Sequence, residues 1–401
     1  MDRPKVLAYY FPDWHKDPRN ARWFGQDWDE WTLLKSAKPR FDGHRQPRVP
    51  IDGYFDEATA AGAERQISIA KKYGVDGFLV DYYWYDDGSY LQAGLDDGLL
   101  AAENGEDVEF ALMWANHELV DIFPHDDPAN HSPARLKDGA IDREAFEKMA
   151  RHVIDAYFSR PNYLTVDGRP WFSIYELGNL ILGLGGVEEA ASALRWFDEE
   201  TKRAGFAGVH LDAVIWGIGV LPTAIALDDP AQLIPRLGFL SATSYVWVHH
   251  ADVSSFDFPV ARIEALRDAA FAEYEAYAAE LAVPFYPNVT VGWDASPRTD
   301  QSREFVQGRY PWTPTWDPTP EEFGEGLAMA KDFLERHRPP HPIVTINAWN
   351  EWTEGSALLP DSHNGYGFLE MVREVFGVAD ARLEAVPPEE TVRQASVGTG
   401  R

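Results

Sequence analysis

Apolar, β-branched and aromatic residues gather along the chain in short runs, each followed by a polar loop marked by Gly or Pro and usually by a stretch with helical spacing. Eight runs stand out: residues 6–10, 77–81, 109–114, 171–175, 213–216, 242–246, 285–289 and 343–347. Several are almost continuously apolar, as expected of strands covered on both faces, and their alternation with helices predicts a parallel sheet. The helical stretch 56–73 carries Ala63, Ile67 and Ala70 at helical spacing, Lys71 and Lys72 in its last turn, and Gly74 as a C-cap. Residues 142–157, 187–204, 260–281 and 320–337 read the same way. No strand is followed by the Gly-x-Gly-x-x-Gly turn of a dinucleotide fold, so the pattern predicts an α/β protein with a single (β/α)8 TIM barrel.

Two segments fall outside this rhythm. Residues 12–50 are too long for an ordinary connection and hold Trp14, Trp23, Trp28 and Trp31, so they are expected to fold over one end of the barrel. Residues 379–401 have little helical period. The expected organisation is therefore a catalytic barrel domain over 1–377 and a docked or disordered tail over 378–401.

With 401 residues, 45% of them hydrophobic, the chain can bury a large core unaided. Its 65 Asp and Glu against 36 Lys and Arg give a formal charge of −29, which argues against nucleic acid and anionic membrane surfaces as partners. No apolar run approaches the roughly 18 residues of a membrane span, and no signal-peptide apolar region opens the sequence, so a cytoplasmic protein is expected. The absence of Cys removes thiolate chemistry and Cys-based metal sites. His249, His250 and Asp294 lack an accompanying ligand pattern and no nucleotide loop is visible, so neither a metal nor an organic cofactor is expected.

Active sites of such barrels lie at the C-terminal ends of the strands. The residues there are Tyr9, Tyr10, Asp81, Tyr83, Trp84, Trp114, Asn116, Tyr175, Glu176, Trp216, Tyr245, Trp293, Asn347, Trp349, Asn350 and Trp352, and they form the candidate substrate-binding set. Aromatic rings with carboxylates and amides suit a carbohydrate, whose C–H faces stack on rings while its hydroxyls need polar partners. An oligosaccharide or polysaccharide is the expected substrate. The sharpest feature follows the last strand: Asn347-Ala348-Trp349-Asn350-Glu351-Trp352-Thr353-Glu354-Gly355. Two carboxylates three residues apart can share one face, and their proximity raises the pKa of one, which suits an acid and a base or nucleophile for glycosidic cleavage. Glu351 and Glu354 are the candidate catalytic residues.

Further motifs accompany this one. They are Ala8-Tyr9-Tyr10-Phe11-Pro12, Asp29-Glu30-Trp31-Thr32, Gly43-His44-Arg45-Gln46-Pro47, the run from Ala70 to Phe78 with Tyr82-Tyr83-Trp84, and Trp114-Ala115-Asn116. Together they resemble the glycoside hydrolase family 99-like proteins over about residues 6 to 376. That group contains retaining endo-α-mannosidases on a (β/α)8 barrel and members of polysaccharide-biosynthesis clusters. The resemblance implies that Glu351 takes the proton of the sugar 2-hydroxyl, whose oxygen attacks C1 to give a 1,2-anhydro sugar. Glu354 would protonate the leaving oxygen and then activate water. Such back-side attack requires O2 and the leaving group to be trans, as in an α-mannoside. Where many relatives continue the third-strand motif with Glu-Asn-Trp and an Arg-rich loop, this chain has Asn116-His117-Glu118-Leu119-Val120. Two other readings stay open: a conventional pair using Glu351 or Glu354 with Glu176 or Asp81 on another glycan, and a non-catalytic glycan-binding or polysaccharide-assembly protein.

Overall fold

The computed structural model describes residues 3–129, 133–219 and 229–377; the tail expected over 378–401 lies outside them. Eight parallel strand segments form a ring in chain order: Lys5–Tyr10, Gly77–Tyr85, Glu109–Trp114, Arg169–Ile174, His210–Val214, Ser241–Thr243, the seventh in two pieces as Phe285–Tyr286 and Asn288–Thr290, and Ile343–Asn347. Pro287, which has no N–H to donate, separates the two pieces of the seventh strand. The first pairs with the sixth strand (Ala242 opposite Phe285) and the second with the eighth (Asn288 opposite Thr345), while Lys5 opposite Ile343 joins the eighth strand to the first. The ring is thereby completed as a (β/α)8 barrel.

The outer helices include Ala60–Tyr73, Arg143–Val153, Val187–Arg203, Ile263–Glu280 and Pro320–His337. Their ends follow local chemistry. Thr59 caps Ala60–Tyr73 by accepting the Gly62 N–H, and Gly74 leaves that helix at φ +84°. Thr319 and Glu322 form a reciprocal capping box at Pro320. Inside the barrel, part of the fill is polar and fully paired: Asp212 accepts from Ser241 Oγ at 2.6 Å and Ser173 Oγ at 3.0 Å.

The long segment after the first strand contains helices Pro18–Phe24 and Trp31–Ser36 and lies against the loop after the eighth strand. Trp14 meets Trp31 at 4.1 Å between ring centres, and Trp31 meets Trp352 at 6.3 Å. Trp14 Nε1 also donates to the Asn350 carbonyl at 2.9 Å. These contacts bring the first and last strand-end loops into one packed unit.

Close strand packing sets the first prediction. Gly77 opens the second strand between Leu7 and Glu109, where a Cβ would stand 2.5 Å from the Glu109 carbonyl oxygen. Gly77→Ala is expected to destabilise the protein by about 1–3 kcal/mol through overpacking. Urea denaturation should show a lower midpoint with an unchanged slope.

Candidate active site

The eighth strand ends at Asn347, and the chain turns through Ala348–Asn350 into a short 3₁₀ turn, Trp352–Glu354. Asn350 fixes this turn from below. Its Oδ1 accepts the Phe11 N–H at 2.8 Å, and its Nδ2 donates to the Phe11 carbonyl at 2.8 Å and to Glu57 Oε1 at 2.7 Å. Trp349 Nε1 donates to Gln66 Oε1 at 2.7 Å. Gly355 ends the turn at φ +67°, and a Cβ there would meet Asp294 Cβ at 2.6 Å. The Asp294 N–H donates to the Glu354 carbonyl at 2.5 Å, so the loops after the seventh and eighth strands hold each other.

This scaffold presents Glu351 and Glu354 to a cleft of about 820 Å³, mouth included, at the C-terminal end of the barrel. Arg298, on the turn Ser296–Arg298 after the seventh strand, joins the carboxylates. Its Nη1 donates to Glu354 Oε1 at 2.5 Å and to Tyr310 Oη; its Nη2 donates to Glu30 at 2.9 Å and lies 3.4 Å from Glu351 Oε2. Tyr310 also donates to Glu354 Oε1 at 2.7 Å. Glu351 has the weaker set of donors: besides that long Arg298 contact, Tyr245 Oη stands 3.4 Å from its Oε1 and 3.2 Å from Asp81 Oδ2.

Burial dominates the protonation of this floor. It pushes Glu351 well above the usual carboxylate range, repulsion from Glu354 adds to it, and Arg298 opposes it. Asp81 is raised by burial and by Glu354, with the Tyr245 hydrogen bond opposing; Asp13 is raised by burial and by Glu30. Asp294 goes the other way: hydrogen bonds from His44, Gln46 and the Ser296 N–H outweigh its burial and hold it below the usual range. His117 is lowered by burial, and His249 is pushed down to about 3 by burial and by His250, so both face the cleft as neutral rings.

Of the residues expected from strand ends, Asp81, Tyr83, Tyr175, Tyr245, Trp293, Glu351 and Glu354 line this cleft. The remainder do not, and alternation along a strand explains several. Tyr9 points inward but below the cleft, with its ring 4.7 Å from Tyr245 and its hydroxyl on the Ser244 carbonyl. Tyr10 packs on Phe78 at 5.3 Å. Trp84 and Trp114 face the helix layer, against His152 at 5.3 Å and Phe146 at 5.9 Å. Asn116 clasps the Glu176 backbone, accepting its N–H at 2.7 Å and donating to its carbonyl at 2.8 Å, and Glu176 is fully buried. Trp216 stands behind the lining, 4.7 Å from both Tyr175 and His249. Asn347, Trp349, Asn350 and Trp352 are fully buried and support the turn instead of lining the cleft.

Sequence reasoning missed Asp13, Glu30, Arg298 and Tyr310. A signal existed for Arg298, which follows the Trp293-Asp294 pair at a strand end. Among the described residues no group of three His, Asp or Glu is placed to hold a metal ion, and no helix is long and apolar enough to cross a membrane.

A family model described as Glycosyltransferase WbsX matches residues 6–372, nearly the whole barrel. The chain belongs to the WbsX family. A relative of this WbsX-family chain, the uncharacterized protein WxcX of Xanthomonas campestris pv. campestris (strain B100), is 28% identical over 394 residues, which cover 96% of this chain and 52% of WxcX. WxcX of strain ATCC 33913 matches to the same extent. The chain thus spans about half the length of the curated relatives it matches. Among solved structures, a glycoside hydrolase-like protein superposes with a TM-score of 0.62 at 15% identity, covering 94% of this chain and 95% of that one. The GH99 endo-alpha-mannosidase from Bacteroides thetaiotaomicron gives 0.51 at 13% identity, covering 93% and 96%. The WbsX-family chain shares the fold of these glycoside hydrolase-like proteins.

Glu57, beneath Asn350, gives the site a pH signature. It is fully buried, and burial raises its pKa to about 8 against the hydrogen bonds from Asn350 and Gln66. A carboxyl with a raised folded pKa binds more protons folded than unfolded, so its contribution is full below about 4.5 and is lost as pH rises through about 8. Glu57→Gln keeps the acceptor for Asn350 without this penalty. Thermal unfolding should show it near wild type at pH 5 and more stable, by about 2–4 kcal/mol, at pH 8; a pH-independent difference would contradict the assignment.

Proposed function

We propose that this chain is a retaining glycoside hydrolase, acting through one barrel unit on α-mannose-like, 1,2-trans bonds of an oligosaccharide or polysaccharide. The observation that carries the proposal is the Glu351–Glu354 pair, set on one turn at the floor of the cleft in unequal surroundings. One oxygen of Glu354 takes hydrogen bonds from Arg298 and Tyr310, whereas Glu351 is held above its usual pKa. Two carboxyls with divergent environments are what acid and base roles require. The aromatic walls, Tyr83, Tyr175, Tyr245 and Trp293, supply faces for a sugar ring.

Burial favours a proton on Glu351. The proposed chemistry needs it on Glu354, so the pair shares one proton that passes to Glu354 as the sugar 2-hydroxyl approaches Glu351. Glu351 then removes the 2-hydroxyl proton, O2 attacks C1 from the face opposite the leaving group, and the C1–O bond breaks as Glu354 gives up its proton. Water, deprotonated by Glu354, opens the 1,2-anhydro sugar at C1, and O2 recovers a proton from Glu351. The two inversions return the α configuration.

The description of the family as a glycosyltransferase favours a second reading, in which an acceptor hydroxyl takes the place of water. The floor argues for a glycan donor in that case. Arg298 is the only Lys or Arg among the described cleft-lining residues, and Glu30, Glu351 and Glu354 already occupy it, leaving little positive charge for a diphosphate. Product analysis with and without added oligosaccharide acceptor distinguishes hydrolysis from transfer.

Leaving-group dependence tests the roles. Glu354→Gln should slow an unactivated mannoside by roughly 10²–10⁴-fold and an aryl mannoside with a good leaving group far less, because only the former needs proton donation. Glu351→Gln should slow both alike; rescue of Glu351→Gln instead would exchange the two roles. A 2-fluoro mannoside should leave no covalent mass on either Glu, and a stoichiometric adduct on Glu351 would establish a conventional nucleophile.

A further inference from the structure

One wall of the cleft is left unused by this chemistry. Leu119, Val120, Ile122 and Phe123, from the loop after the third strand, line it with Leu91, from the turn after the second. Backbone polarity along this stretch is largely consumed locally. Leu119 and Val120 pair with Lys137 and Arg135 in a short antiparallel ladder, and the Asp121 N–H donates to the Ala134 carbonyl at 2.7 Å. The wall begins at the floor itself, since the Phe123 ring centre lies 5.5 Å from the Arg298 guanidinium carbon.

A fully hydroxylated sugar is a poor match for such a surface. A hydroxyl pressed against these side chains gives up its water without gaining a partner, which costs roughly ten- to a hundred-fold in affinity. A methyl group in the same place gains about four-fold per buried carbon. We propose that this wall selects a glycosyl unit bearing a methyl-terminated substituent, either the methyl of a 6-deoxy sugar or that of an acetyl group. The inference rests on the cleft being a glycan site and adds the substrate class that it prefers.

Binding, read apart from turnover, tests it. NMR titrations of the Glu351→Gln protein would use methyl α-D-mannopyranoside, its 6-deoxy and 6-O-acetyl counterparts, and methyl α-D-glucopyranoside with its 6-deoxy counterpart. At least one substituted sugar should bind ten-fold or more tightly than its parent, and the two substituted arms tell a deoxy from an acetyl methyl. Val120→Thr, introduced into the same protein, offers the missing hydrogen-bond partner at nearly unchanged shape and should narrow the preference several-fold. Parents binding as tightly as their derivatives, binding of none of the five, or a preference unmoved by Val120→Thr would overturn the proposal. A preference confined to the glucosides would uphold the wall's selectivity and count against the mannoside reading.

Discussion

The arrangement at the cleft floor depends on one guanidinium. Arg298 is buried among Glu30, Glu351 and Glu354, with N···O distances of 2.9, 3.4 and 2.5 Å. Three carboxylates could not be desolvated together without it, because charges in a protein interior cost several kcal/mol each unless paired and hydrogen-bonded. The four residues come from the loops after the first, seventh and eighth strands, distant in sequence and brought together by closure of the ring. The site therefore exists only where the closed ring brings these loops together. Thr353, donating to Glu30 and accepting from Arg298 Nε, adds the polar support such a cluster needs.

One cation among three acids leaves an excess of negative charge, and the surroundings decide where it is neutralised. Asp294 is satisfied separately by His44 and Gln46. Asp13 and Asp81 are pushed up by burial, as Glu351 is, so this floor favours the protonated form of its carboxyls more than an exposed surface does. Such a floor can both donate to and accept from sugar hydroxyls. The neutral His117 and His249 and the aromatic walls leave the carboxyls and Arg298 as the main polar contacts in the cleft.

The barrel was legible because its strands are buried on both faces and announce themselves as continuous apolar runs, each near its predicted place. The C-terminal end of the helix Ala60–Tyr73 followed from Gly74. The site was legible only in part. Reading every strand-end aromatic as a cleft residue ignored alternation, which sends Tyr10, Trp84 and Trp114 away from the cleft. Asn116, Asn350 and Trp349 carry polar groups that loop backbones and buried side chains use up. Arg298 and Glu30 were not singled out as site residues because their oppositely charged partners lie 53 to 268 positions away, a pairing that no local pattern encodes.

The proposed chemistry is cleavage of a glycan by Glu351 and Glu354 with two inversions at one carbon. It is tested most directly by following the protein with a mannose-configured oligosaccharide by ¹H NMR and recording which anomer of the new reducing end forms first. The α anomer appearing first, before mutarotation, and vanishing with Glu351→Gln or Glu354→Gln, is the predicted result. Initial release of the β anomer, or release unchanged in both variants, would contradict it.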